Sequence, residues 1–169
     1  ISLRLVGSEM CIRDRSRTGS KLLEDSAINA YKKLLLPLAD LVTPNIFEAN
    51  LLSNLDINNE EDIEESAKSI IKLGAKAVLI KGGGLKDMKG RDFYLDVNGG
   101  KKWFINKFIN TQNTHGSGCT LSAAICGYQA LGFELIDSIQ KSKLFIERSL
   151  KNSYQIGSGP GPLGHYQSL

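Results

Sequence analysis

Gly116, Ser117, Gly118 and Cys119 stand directly before the run Leu121-Ser122-Ala123-Ala124-Ile125, whose composition suits a helix. Glycines at that point allow a tight turn, and the first N–H groups of a helix have no carbonyl partner inside it. Such amides converge on whatever lies in front of them and form a ready site for phosphate. Cys119 falls on the first helical turn, where the positive end of the helix dipole makes it better placed than an ordinary cysteine to accept a proton. A phosphate cradle with a base inside it suggests phosphoryl transfer to a hydroxyl. The plainer alternative is a glycine turn followed by a small packed cysteine. His115, beside the cradle, could touch phosphate or stabilise the turn.

Two further groups carry complementary chemistry. Asn45 and Glu48 are three residues apart at an expected helix start. A carboxylate near phosphates is useful mainly through magnesium, which keeps several waters and is often held by one carboxylate plus phosphate oxygens. The same spacing also reads as simple helix capping. Lys81 closes an apolar strand ahead of Gly82-Gly83-Gly84. It can meet polyphosphate as a point charge, or it can extend past apolar neighbours to solvent. Neither GxxxxGK[ST] nor GxGxxG occurs, so nucleotide binding of those two types is unsupported.

These groups must be positioned by surrounding elements. The spacing of Leu22, Ile28, Tyr31, Leu34 and Leu35 predicts a helix over 21–36, closed by Pro37. Leu41-Val42-Thr43 reads as a short strand, 45–52 as a helix capped by Asn45, and 60–73 as an amphipathic helix burying Ile63, Ala67, Ile70 and Ile71. Residues 77–80 form an apolar strand. Segments 92–97 and 102–109 read as a hairpin joined through Asn98-Gly99-Gly100, with Trp103 as sheet packing. Helices over 118–131 and 135–152 and a glycine- and proline-rich tail complete the order. The expected class is α/β, a mainly parallel sheet covered by helices with one antiparallel hairpin. Ligands of such sheets collect beyond the carboxyl ends of the strands, where all three groups fall.

Size and composition narrow the function. A chain of 169 residues with formal charge +3 fits one soluble domain, and no basic run alternates with aromatics, which argues against nucleic acid. No segment approaches the ~20 apolar residues of a membrane helix. Cys11, Cys119 and Cys126 are odd in number and lack CxxC spacing, and neither histidine joins them in a metal-ligand pattern, so a reducing cytoplasm is expected. Residues 1–15 show no periodicity, Arg4 breaks their apolar start, and no cleavage site follows. Residues 1–17 are therefore expected to be an anomalous leader, similar to a translated adapter, ahead of a single domain over 18–169.

The run from Asn113 to Ala124 resembles the signature of hydroxymethylpyrimidine/phosphomethylpyrimidine kinases of thiamine biosynthesis, within the ribokinase-like superfamily. Thr43-Pro44-Asn45 with Glu48-Ala49 resembles that family's TPNxxEA segment, and Lys81-Gly82-Gly83 its KGG. Thr18-Gly19-Ser20-Lys21-Leu22-Leu23 resembles its SGxxLL step, and Gly157-Ser158-Gly159-Pro160 its closing GHGP, with Ser158 in place of histidine. The resemblance implies ATP-dependent phosphorylation of the hydroxymethyl group and then of the monophosphate. Under it, Cys119 is the general base, and Gly116, Ser117, Gly118 and Cys119 form the anion hole. Lys81, Gly82, Thr114 and Asn45 meet the nucleotide and its phosphates, and Asn45 and Glu48 organise Mg2+. The family's glycine-rich opening half, which supplies most of the pyrimidine pocket, has no counterpart here. The expectation is thus a carboxyl-terminal portion with an incomplete fold, exposed apolar surfaces and little activity alone. A related pyridoxal kinase and a non-catalytic nucleotide-binding module are the alternatives; a homodimer is one form open to the full-length protein.

Overall fold

Residues 24–167 are described by the computed structural model, in which the chain divides into two compact units, Ile1–Ile105 and Asn106–Leu169. The expected leader and the Thr18–Leu23 step lie outside the described residues.

The first unit begins with α1 (Asp25–Ala30), which continues as a π turn over Tyr31–Leu35 and a 3-10 turn over Leu36–Leu38. The expected regular helix over 21–36 is therefore broken. Pro37 has no N–H for the carbonyl one turn back, and the preceding turn widens so that the Leu36 N–H bonds to Tyr31. Leu34 is left exposed while Ile28 is buried.

Next come α2 (Ile46–Ser53) and α3 (Glu60–Lys72). Asn59 caps α3, accepting the Asp62 N–H at 2.9 Å, and three acidic residues fill the first turn, where the helix dipole favours them. Ile63, Ala67 and Ile70 are fully buried as the apolar period requires, and Gly74 leaves the helix at φ 106°.

The sheet contains β1 (Ala77–Lys81), β2 (Arg91–Asp96) and β3 (Lys101–Ile105) in that spatial order. Both pairings are antiparallel, which corrects the expected mainly parallel arrangement for this chain. The reason is the short connection over 82–90: a parallel return needs a crossover of a dozen or more residues. Among the described residues of this unit, parallel pairing appears at the isolated bridges Val42–Val78 and Asn45–Lys81. The anticipated strand at 41–43 is reduced to those contacts, since Pro44 cannot donate to a ladder. The crossover from this segment to β1 passes through α2 and α3, as parallel neighbours require.

The hairpin is present, but β3 stops at Ile105 rather than 109. Ile105 pairs with Arg91, the first residue of β2, so the chain beyond it has no strand to meet. One sheet face packs Val78, Ile80, Phe93 and Leu95 against Ile46, Ala49, Ile63 and Ile70. Trp103 packs against Phe93, ring centroids 4.9 Å apart and planes tilted by 49°, and lies under Arg91, as sheet packing. On the opposite face the Tyr94 hydroxyl donates to Asp96 at 3.1 Å. Burial first, and then the neighbouring Asp96 carboxylate, push the Tyr94 phenol well above its ordinary range.

The second unit pairs α4 (Ser117–Ala130) with α5 (Leu135–Lys151). A tail returns across them, ending in a 3-10 turn at His165–Gln167. Among the described residues no helix is long and apolar enough to cross a membrane.

Candidate phosphate-binding site

In the second unit the chain enters α4 through Gly116, at φ 81° and ψ 1°, a left-handed conformation that L side chains adopt only with strain. A Cβ added there meets nothing within 4 Å, so the backbone angle, and not crowding, calls for glycine. The first helical bond runs from the Thr120 N–H to the Gly116 carbonyl at 2.8 Å, and the Ser117 N–H closes a turn onto Thr114 at 3.2 Å. The amides of Gly118 and Cys119 precede any intrahelical carbonyl and remain to be offered outward. Cys119 is exposed, and Gly116, Ser117, Gly118 and Thr114 are partly so. The thiol therefore shares an accessible helix mouth with the unused amides, and the alternative of a packed cysteine does not hold for it. Cys126 is only partly exposed.

In the first unit, Asn45 and Glu48 form a reciprocal capping box. The Glu48 N–H donates to Asn45 Oδ1 at 2.9 Å, and the Asn45 N–H donates to Glu48 Oε2 at 2.7 Å. Glu48 is buried, at 6% exposure, so capping occupies one carboxylate oxygen and burial restricts the other. The parallel bridge between Asn45 and Lys81, with the Lys81 N–H donating to Pro44 at 2.9 Å, brings this box to the end of β1. Lys81 is itself buried, at 9% exposure, rather than extended to solvent. Among the described residues no group of three or more His, Cys, Asp or Glu could hold a metal ion.

Gly82 has a structural reason to be glycine. A Cβ there collides with the Arg91 carbonyl and comes within 3.0 Å of the Met88 carbonyl. Gly83, in contrast, faces open space. The structure thus brings Asn45, Glu48, Lys81 and Gly82 together in one unit, and Thr114, Gly116, Ser117, Gly118 and Cys119 together in the other.

Three contacts beside these groups were missed by the sequence reading. Asp92 is buried, occupies the position opposite Lys81 in the β1–β2 register, and accepts the Gly82 N–H at 3.2 Å. Directly opposed residues leave the same sheet face, so Lys81 and Asp92 are cross-strand neighbours. An acid directly ahead of the run Phe93-Tyr94-Leu95 was the available signal. Asn113 Oδ1 accepts the Gly161 N–H across the second unit at 3.0 Å. Thr120 Oγ1 and His165 Nε2 lie 2.9 Å apart, joining the first turn of α4 to the tail.

A helix opening on a left-handed glycine, with an exposed thiol on its first turn, is a geometry that suits a phosphate group, here in a chain built of helices and a sheet. The chain belongs to the phosphomethylpyrimidine kinase family, whose model matches residues 14–164. It is 45% identical over 157 residues to the hydroxymethylpyrimidine/phosphomethylpyrimidine kinase of Synechococcus elongatus, covering 91% of this chain and 59% of that protein. Among solved structures, an ADP complex of Bacillus subtilis pyridoxal kinase is similar at TM-score 0.81 and 36% identity, over 86% of this chain and 57% of that one. The phosphomethylpyrimidine kinase of Clostridium difficile is similar at TM-score 0.65 and 36% identity, over 78% and 52%. The chain spans a little over half the length of these relatives.

Proposed function

We propose that the whole protein carrying this sequence transfers the γ-phosphoryl group of ATP to the hydroxyl of hydroxymethylpyrimidine, and then phosphorylates the resulting monophosphate. The observation that supports this reading most is the mouth of α4: unused amides and an exposed thiol on one helical turn, in a member of this family. Gly116, Ser117, Gly118 and Cys119 form the cradle, in which the Gly118 and Cys119 amides hold the migrating phosphoryl group and take up the charge that develops on it. Cys119 Sγ receives the hydroxyl proton as the substrate oxygen bonds to phosphorus. The bond from that phosphorus to the bridging oxygen breaks, and ADP departs. Thr114 borders the same turn and contacts the phosphates. Catalysis of this kind is mostly positioning, which suits a site built from main-chain groups.

At the β1 end, Lys81 neutralises nucleotide phosphates, with Gly82 and Asn45 beside it. Glu48 fits Mg2+ only through a water, because Asn45 occupies Oε2 and the carboxylate is buried. When bound, the ion supplies charge neutralisation for the phosphates. The finer features of the fold, a ribokinase-like architecture with a mainly parallel sheet, belong in this proposal to the whole protein. So do a cytoplasmic location, consistent with the free Cys119 and Cys126, and a partnership with small molecules rather than nucleic acid.

A pyridoxal kinase is the second reading, favoured by one observation: the higher TM-score belongs to a pyridoxal kinase rather than to a phosphomethylpyrimidine kinase. The competing observation is 45% identity to the pyrimidine enzyme. Comparison of kcat/KM for hydroxymethylpyrimidine and pyridoxal with the whole protein decides between them. The first reading expects the pyrimidine to be preferred by tenfold or more, about 1.4 kcal/mol in transition-state binding. Preference for pyridoxal overturns it, and transfer to neither overturns both.

A further inference from the structure

We propose that Asn113 is a positioning residue for the anion-binding turn, acting through Gly161 on the backbone that leads into Gly116. The inference rests on the phosphoryl-transfer reading above and adds to it the part that keeps the amides in register.

The connection is a short closed circuit. Asn113 Oδ1 accepts the Gly161 N–H at 3.0 Å, and the Gly161 carbonyl accepts the His115 N–H at 3.1 Å. His115 immediately precedes Gly116, so the tail fastens the chain one residue before its left-handed step. Asn113 is itself held, its N–H donating to Thr111 Oγ1 at 3.1 Å, and Thr111 Oγ1 lies 3.0 Å from Ser153 Oγ. On the other side of the turn, Thr120 meets His165 at 2.9 Å. The mouth of α4 is thus tied to the tail both before Gly116 and after Cys119.

Gly161 fits this circuit because it lacks a side chain. It is buried, and a Cβ there collides with the Tyr154 carbonyl and lies 2.7 Å from Asn113 Oδ1. The approach of tail to turn is therefore so close that Asn113 and a larger residue at 161 cannot both keep their places. The other bonds of the turn, from the Ser117 N–H to the Thr114 carbonyl and from the Thr120 N–H to the Gly116 carbonyl, are local, and the strap through Gly161 ties the turn to the tail before Gly116. The direction of the Gly118 and Cys119 amides consequently depends on the strap. An uncharged amide is also the suitable acceptor, since aspartate makes the same bond but brings a negative charge toward bound phosphate.

The test compares Asn113→Ala and Asn113→Asp with the unaltered whole protein, reading steady-state kinetics and amide hydrogen exchange at His115 without substrate. The inference expects N113A to speed His115 exchange by about tenfold or more, the loss of one net hydrogen bond. It also expects kcat to fall by about ten- to a hundredfold with KM for ATP changed far less. N113D keeps the slow exchange, because the acceptor remains. Where N113A fails to fold, Asn113→Thr fills the space without the amide oxygen and serves the same comparison. Unchanged His115 exchange in the variant lacking the acceptor, or unchanged kcat despite faster exchange, overturns the inference while leaving the kinase reading intact. An inactive unaltered protein overturns both, and that outcome is read before any variant is made.

Discussion

Replacement of Gly116 by alanine isolates the backbone strain at the mouth of α4. At φ 81° and ψ 1° an L residue is in the left-handed region, which costs roughly 1–2 kcal/mol for a residue with a Cβ. No collision adds to it, because a Cβ at this position meets nothing within 4 Å. The expected loss of stability for G116A is therefore about 1–2 kcal/mol. In melting temperature this corresponds to about 2–8 °C for a domain of this size class. Gly116→Asn separates strain from any other cause, since asparagine tolerates the left-handed region better than alanine, and it should recover part of the loss. Urea denaturation of the three proteins side by side measures the differences from the midpoints at constant slope. A cost for G116A well above ~3 kcal/mol, or an asparagine variant no more stable than alanine, contradicts the account, because either requires a contact the structure does not contain.

Other substitutions test the frame that carries the two residue groups. Ile70 is fully buried in the core between α3 and the sheet, so Ile70→Ala should cost about 2–5 kcal/mol by denaturant unfolding. Asn45→Ala removes the acceptor of the capping box and should cost about 1 kcal/mol, while Asn45→Ser should retain most of that stability in the same assay. The Glu147 carboxyl is held below the usual carboxylate range, first by its hydrogen bond from Lys151 and then by that from Asn106. A depressed carboxylate contributes stability that is present above its ordinary pKa and lost as pH falls through the lowered value. Glu147→Gln should thus be less stable than the unaltered protein near neutrality, and the gap should close on acidification below the ordinary carboxylate range.

Local signals were legible in the sequence. The apolar period of α3 placed Ile63, Ala67 and Ile70 in the core, the Asn45–Glu48 spacing gave a true capping box, and Asn98-Gly99-Gly100 marked the hairpin. These features depend on residues a few positions apart. Of the three consecutive glycines after Lys81, Gly82 is required by the tight return of β1 into β2, a close approach to Arg91 and Met88 that the sequence does not display, and Gly83 faces open space. That return also reversed the expected strand direction, which turns on connection length more than on strand composition. The tail was the least legible part. Asn113 and Gly161 are 48 residues apart, and nothing in the periodicity of either segment records their contact. Glu48 shows the limit of motif reading from the other side: its spacing fits both capping and magnesium, and the geometry satisfies the cap directly.

In the proposed mechanism Cys119 accepts the substrate proton at a helix mouth whose amides hold the phosphoryl group. Its most direct test is Cys119→Ala in the whole protein, with ATP binding and single-turnover transfer measured on the same preparation. Removal of a general base predicts transfer slowed by about a hundredfold to ten-thousandfold, with nucleotide affinity essentially unchanged. Transfer at the unaltered rate contradicts the assignment of Cys119.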